Sequence, residues 1–357
     1  MTEDLDMPVD EGALLRISGL KKHFPITSGV LQRTTGHVRA VEDVTLSIQS
    51  GETLALVGES GCGKSTAGRL ILRLIEATSG SVTFQGRDVR GLDSRALRAL
   101  RRDMQIIFQD PFSSLNPRMR VRDLIAEPIV FHKLVRGRAQ VEARVDELMQ
   151  IVGLSPAHRD KFPHEFSGGQ RQRIGIARAL AVQPKFIVCD EPISALDVSI
   201  QAQVLNLLSQ LQRDFGLTYL FISHDLSVVR YVSDRVAVMY LGRIVELADT
   251  AALFEEPRHP YTAALLSAIP VPDPTLTRDG RVILSGDVPS PSDPPQGCPF
   301  HPRCTYAQDI CRTAVPELRA VARASGRQGA VACHLADDLT LAGIPTPAPQ
   351  AATGGTT

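Results

Sequence analysis

The stretch TLALVGESGCGKST, residues 53–66, joins an apolar run to a glycine-rich loop, and AGRLILRLI follows it with leucine and isoleucine at helical spacing. Strand, loop and helix in that order form the context in which G-x-x-x-x-G-K-[ST] cradles phosphate. Gly58, Gly61 and Gly63 let the backbone amides curl round phosphate oxygens, and Ser60, Cys62 and Thr66 belong to the same phosphate-binding loop. Lys64 is expected to neutralise the β- and γ-phosphates and Ser65 to ligate Mg²⁺. A glycine-rich turn with an incidental lysine is the plain alternative, and the complete pattern in its proper setting speaks against it.

Outward from this loop, apolar runs recur between helical stretches: QIIFQD (105–110), FIVCDE (186–191), YLFISHD (219–225) and RVAVMYLG (235–242). That alternation predicts an α/β fold with a largely parallel sheet. The run FIVCDE ends in two carboxylates. Asp190 suits the Mg²⁺ shell, while Glu191, one residue on, points elsewhere and suits a general base that polarises the attacking water. His224, after the next strand, is placed to reach the γ-phosphate side, and Gln109 can orient water or complete the metal shell. A lone histidine is more often structural, so His224 draws its reading from this company.

Residues 116–182 show little strand character, and AQVEARVDELMQIVG places Val141, Val145, Leu148, Met149 and Val152 at helical spacing, which predicts a helical insert. Within it, NPRMRVRDLIAEPIVFHKL offers apolar residues flanked by bases, which suits either a surface for a short helix of a membrane protein or the apolar face of an internal core helix. Composition shifts after about residue 256. RHPYTAALLSAIP reads as one helix, VPDPTL and VPSPSDPPQG as proline-rich connections, and the tail has almost nothing to bury. The expected organisation is a cassette over 1–256, a small separate C-terminal module over 257–340 and a disordered tail over 341–357. Lys+Arg and Asp+Glu both number 39, so the net charge is zero and no global field favours nucleic acid. The acidic N-terminus lacks a signal peptide's basic and apolar regions, and no apolar run is long enough to span a membrane. A cytosolic protein is expected.

A second glycine pair stands in FSGGQRQR, residues 166–173, with a hydroxyl and a helix start but no lysine or metal ligand. Such a site can complete an anion site and hardly make one. In order along the chain come GESGCGKST, Gln109, FSGGQ, the run ending DE, SALD at 194–197 and His224, and over roughly residues 14–256 this resembles the ABC ATPase family. The resemblance implies two cassettes paired head to tail, with Ser167, Gly168, Gly169, Gln170 and Asp197 of one serving the nucleotide bound by the other. Phe24 is the candidate for the aromatic that stacks on adenine. The stretches IFQDPFSSLNPRM, PISALDVSIQAQVLNLL, PRHPYTAALLSAIP and CPFHPRC look like the ATPase subunits of bacterial oligopeptide and dipeptide importers. That implies a second ATPase subunit, two transmembrane permease subunits, an extracytoplasmic substrate-binding protein acting through them, and a peripheral position on the cytoplasmic side of the membrane. Nickel, glutathione and sugar-oligomer importers use related ATPases, so the solute stays open, as does a non-transport ABC ATPase.

Cys298, Cys304, Cys311 and Cys333 cluster near the end of the chain with the spacing C-x5-C-x6-C-x21-C. Zinc fingers pair their ligands more closely. Four thiolates without a nearby carboxylate suit soft-metal chemistry, either a [4Fe–4S] cluster or Zn²⁺, and His301 and His334 are alternative zinc ligands. The resemblance favours the cluster. Small buried hydrophobes are the remaining reading.

Overall fold

The computed structural model describes residues 12–29, 33–110, 114–269, 284, 286–323 and 328–344. Most of the acidic N-terminus, VPDPTL and most of the 341–357 tail lie outside them. The described strands are β1 (Leu15–Ser28), β2 (Arg33–Ile48), β3 (Thr53–Val57), β4 (Ser79–Phe84), β5 (Arg87–Asp88) and β6 (Met104–Ile107). They continue with β7 (Phe186–Asp190), β8 (Thr218–Ser223), β9 (Arg235–Tyr240), β10 (Arg243–Asp249), β11 (Arg319–Ala322) and β12 (Gln328–Val331).

The five apolar runs form five adjacent strands of one eight-stranded sheet, ordered β11-β12-β10-β9-β3-β8-β7-β6, with β6 at its edge. From β9 to β6 the neighbours are parallel. Every residue of β3, β7 and β8 is buried, which explains why these strands read as continuous apolar runs without alternation. A second sheet, ordered β2-β1-β4-β5, is antiparallel. Leu15, Ile17 and Leu20 of β1 share a core with Leu54 and Leu56 of β3 and Leu220 of β8. The pairing of β1 with β2 shifts register between Ile17 and Leu20 and again before Lys22. Gly19 sits in that break at φ +56°, so the inward residues lose the regular period that would have revealed the strand.

Between β6 and β7 no strand occurs among the described residues. Helices Val121–Phe131, Arg138–Ile151 and Gly168–Leu180 pack Leu124, Ile125, Val145, Leu148, Met149 and Ile174 into a second core against Ile187 and Tyr219 of the sheet.

The C-terminal segment departs from the expected separate module. Strand β12 pairs with β10 through Glu246↔Val331, Leu247↔Ala330 and Ala248↔Gly329, so the β11–β12 hairpin extends the cassette sheet and covers its edge. Phe300 meets Tyr240 of β9 edge to face at 5.3 Å, and Tyr261 lies 5.4 Å from the same ring. An ion pair between Arg323 and Glu246, 2.6 Å long and fully buried, fastens the hairpin beneath. Gly329 makes room for it, because a Cβ there would collide with the Arg323 guanidinium.

Candidate nucleotide site

The loop between β3 and the helix Lys64–Ile71 is shaped by two close approaches. Gly58 and Gly63 have φ +151° and +106°, and a Cβ on either would strike a backbone carbonyl, of Met239 and Ala40 respectively. Only glycine fits there. Lys64 is 5% exposed and its ammonium donates to the Gly58 and Glu59 carbonyls at 2.8 and 2.9 Å. It therefore lies over the loop, where phosphate oxygens would compete for it. Cys62 is buried beside it, and burial pushes its thiol up, so it serves as packing and not as a nucleophile. Ser60 and Gly61 are exposed at the tip, and Thr66 is half-buried in the helix's first turn.

Ser65 Oγ donates to Asp190 Oδ1 at 2.6 Å, so the end of β7 meets the start of the loop helix. Burial raises the Asp190 pKa, opposed by the Ser65 hydrogen bond. Two oxygen donors held together, one a carboxylate, fit the hard-cation chemistry of Mg²⁺. Glu191 adopts φ +45°, a left-handed conformation that turns its side chain away from that of Asp190. Its Oε2 accepts from Gln109 Nε2 at 2.7 Å and lies 3.4 Å from His224 Nδ1. The carboxylate is 14% exposed and the histidine 58%. Gln109, Glu191 and His224 thus converge at the carboxyl ends of adjacent strands, where open α/β sheets bind ligands. Gln109 spends its amide on Glu191, and no described bond joins it to Ser65 or Asp190.

The signature residues lie apart from this group. Ser167 caps the Gly168–Leu180 helix, accepting from Gln170 N at 3.3 Å while Gln170 Oε1 accepts from Ser167 N at 3.0 Å. Asp197 caps the helix Val198–Phe215, accepting from Ser199 Oγ and Ile200 N, and the Ser199 hydrogen bond holds its carboxyl below the usual range. Among the described residues no hydrogen bond or ion pair joins Ser167, Gly168, Gly169, Gln170 or Asp197 to the 58–66 loop. Phe24 stands on the β1–β2 hairpin opposite Val38, 37% exposed, with the Lys22 ammonium 4.9 Å from its ring centroid.

A groove of about 330 Å³ opens beside the site, lined by Ile107 and Phe108 of the β6 end, Pro128, Phe131 and the helix bearing Gln172. Gln172 is 1% exposed, and its Nε2 finds no partner among the described residues. Sequence reasoning did not single out Gln172. It also passed over Glu59, Tyr261 and Arg303, which join the loop to the C-terminal segment from 202 and 244 residues away.

Cys298, Cys304, Cys311 and Cys333 are the sequence's candidate metal ligands. Among the described residues no group of three His, Cys, Asp or Glu is placed to hold a metal ion. Burial pushes the Cys298 thiol up to about 12 and Cys333 to about 11. His301 Nδ1 lies 2.9 Å from the Cys298 carbonyl and His334 Nε2 3.0 Å from that of Ala314, so one nitrogen of each ring is engaged by backbone. Cys298 and Cys311 are buried in the aromatic core of Tyr240, Tyr261 and Phe300.

A glycine-formed phosphate loop, a Ser–Asp pair and a Gln–Glu–His group on one sheet, with a capped signature helix standing apart, define an ABC ATPase cassette. The ABC transporter family model matches residues 41–194, and that for the oligopeptide/dipeptide transporter C-terminal region matches 245–311. The chain is 52% identical to the oligopeptide transport ATP-binding protein AppF of Bacillus subtilis (strain 168) over 329 residues, covering 91% of this chain and 98% of that one. It is 50% identical to the oligopeptide transport ATP-binding protein OppF of Escherichia coli (strain K12) over 336 residues, 93% and 99% of the two chains. Its fold is similar to the dimeric post-hydrolysis state of the ATP-binding cassette MJ0796 bound to ADP and Pi, with TM-score 0.58, 28% identity, and 66% and 98% covered. The chain belongs to the ATP-binding subunits of the oligopeptide/dipeptide ABC transporters.

Proposed function

We propose that this chain hydrolyses ATP to power peptide import through a membrane permease, working as one cassette of a head-to-tail pair. The observation that carries the reading is the convergence of Gln109, Glu191 and His224 beside the Ser65–Asp190 pair, with the signature cap left unused by its own loop. The loop amides and Lys64 bind the phosphates. Ser65 and Asp190 would hold Mg²⁺, which offsets charge on the β- and γ-phosphates. Glu191 takes a proton from the attacking water, whose oxygen bonds to the γ-phosphorus as the bond to ADP breaks. Gln109 orients that carboxylate and His224 faces the γ-phosphate side. Ser167, Gly168, Gly169, Gln170 and Asp197 close over the partner's nucleotide, and Phe24 stacks on adenine.

The helical insert and the end of β6 form the permease-facing surface. The groove at Phe108, Phe131 and Gln172 suits a short permease helix whose apolar face packs on the two rings. No helix among the described residues is long and apolar enough to cross a membrane. The likeness to importer ATPase subunits supports attachment through the permease on the cytoplasmic face. Peptide as solute follows from the matched C-terminal region and the relatives' names. The test is ATPase activity of the chain with its permease in liposomes. Stimulation by a peptide-loaded binding protein supports the reading, whereas stimulation by ribosomes or DNA overturns it.

A [4Fe–4S] cluster at Cys298, Cys304, Cys311 and Cys333 is the second reading, and one observation favours it: charge on Cys333, Cys311 or Cys304 would raise the Cys298 thiol further, so the four are electrostatic neighbours. A single Zn²⁺ needs its thiolates drawn in to about 2.3 Å from one centre, whereas a cluster carries its ligands on four separate irons and spaces them wider. Such a cluster would brace the C-terminal segment.

A further inference from the structure

Glu59 is the second residue of the phosphate loop, and three of its groups are engaged. Its carbonyl accepts from Lys64 Nζ at 2.9 Å. Its backbone N–H donates to Tyr261 Oη at 2.9 Å, and its carboxylate takes Arg303 Nη1 at 2.7 Å and Nη2 at 3.0 Å, one oxygen each. Two of the three holds come from the C-terminal segment. Neither is a loose surface contact. The Arg303 side chain is 6% exposed, lies 5.9 Å from the Tyr240 ring centroid, and belongs to the 3-10 turn His301–Arg303 behind Phe300. Tyr261 is fully buried and packs on Tyr240 at 4.7 Å.

A bidentate guanidinium–carboxylate pair fixes direction as well as distance. Here it fixes the first turn of a loop whose other anchor points are glycine contacts with Met239 and Ala40. Removing it would free the Glu59 carboxylate beside Lys64, where it would compete with phosphate for the ammonium. We propose that Arg303 and Tyr261 are positioning residues for the ATP site, so that the C-terminal segment sets the nucleotide affinity of the cassette by holding Glu59. They touch neither Glu191 nor His224 in any described contact, so the effect falls on binding of ATP and not on the hydrolytic step. This inference rests on the reading of residues 58–66 as the ATP loop.

The test uses the full chain with its permease in liposomes and measures KM and kcat for ATP with direct binding of a fluorescent ATP analogue. Arg303→Ala should raise both KM and the dissociation constant about tenfold, the change that ~1.4 kcal/mol produces, with kcat altered less than about threefold. Tyr261→Phe, which deletes one hydroxyl, should weaken binding in the same direction and by less. Glu59→Ala combined with Arg303→Ala should be no worse than Arg303→Ala alone, since both remove one interaction. Arg303→Lys, which keeps the charge in the core, covers the case in which the alanine chain fails to fold, and it should still weaken ATP because one ammonium cannot serve both oxygens. Lys64→Ala is the control for the underlying reading. If Lys64→Ala abolishes binding while folded Arg303 variants bind ATP normally, or if the double variant shows additive losses, the positioning role is overturned and the ATP site stands. If Lys64→Ala binds ATP normally, the loop assignment itself falls.

Discussion

Gln109 Nε2 donates to Glu191 Oε2 at 2.7 Å, so the loop after β6 holds the carboxylate that leaves β7 in a left-handed turn. The contact joins the edge of the groove at Phe108, Phe131 and Gln172, proposed to face the permease, to Glu191, the proposed base, in one step. A movement of the loop carrying Phe108 and Gln109 would therefore reorient Glu191.

Glu191→Gln keeps the size and hydrogen bonding of this side chain and removes its capacity to take a proton. ATP binding should persist while turnover falls by about 10²–10⁴, the range that loss of a general base produces. Size-exclusion chromatography with ATP should show the variant accumulating as a closed pair. Hydrolysis near the parent rate would remove Glu191 as the base.

Burial holds the His259 imidazole neutral, with its pKa lowered to about 3 from its ordinary 6.5. Its Nδ1 accepts from Tyr261 N at 3.1 Å, an N-cap that a proton on that nitrogen would destroy. The unfolded chain takes the proton below about 6.5 and the folded one does not, so stability is full above that pH and is lost progressively down to about 3. At pH 5 the loss amounts to about 2 kcal/mol from this group. Urea denaturation at pH 7 and pH 5 checks it. His259→Asn keeps an acceptor at the cap and should show a smaller drop, whereas an equal drop assigns the acid sensitivity elsewhere.

The central sheet was legible because β3, β7 and β8 are buried on both faces and their apolar runs are unbroken. Lys64, Ser65, Asp190 and Glu191 were legible for a related reason: each sits at a strand end or loop whose local pattern implies its chemistry. The β1–β2 hairpin escaped because its register shifts break the two-residue period. The C-terminal hairpin was assigned to a separate module because nothing local in RAVA or QGAV reveals that β10 is the partner. Arg303 stood between two cysteines in CPFHPRC, where the thiols drew the chemical reading, and its partner Glu59 is 244 residues away.

The four cysteines divide the metal readings cleanly. Protein purified without oxygen should be brown, absorb broadly near 400 nm and carry about four irons per chain. Cys304→Ser should bleach it and leave nucleotide binding to the 58–66 loop in place. Colourless protein with one zinc per chain would decide for the tetrahedral site, and folded protein free of metal would leave the thiols as packing groups in the core of Tyr240 and Phe300.

The signature cap gives the sharpest test of pairing, because two adjacent glycines differ in what they tolerate. A Cβ at Gly169 would collide with Ile200, so substitutions there disturb the chain's own packing. At Gly168 the nearest atom to an added Cβ is Leu196 Cδ2 at 3.5 Å, an ordinary contact, so Gly168→Asp leaves the fold intact. The new carboxylate would stand at a helix N-terminus, which welcomes negative charge, yet it would face the γ-phosphate offered by a second cassette. Nucleotide binding by the single chain should be unchanged and hydrolysis should fall steeply. Mixing Gly168→Asp with Lys64→Ala then decides whose nucleotide the cap serves. In a mixed pair, one interface joins the intact loop of the first chain to the intact cap of the second, and the other interface carries both defects. Activity above that of either variant alone shows a site shared between chains. If the mixture is no more active than its components while mixed pairs demonstrably form, the cap serves its own subunit and the head-to-tail arrangement fails.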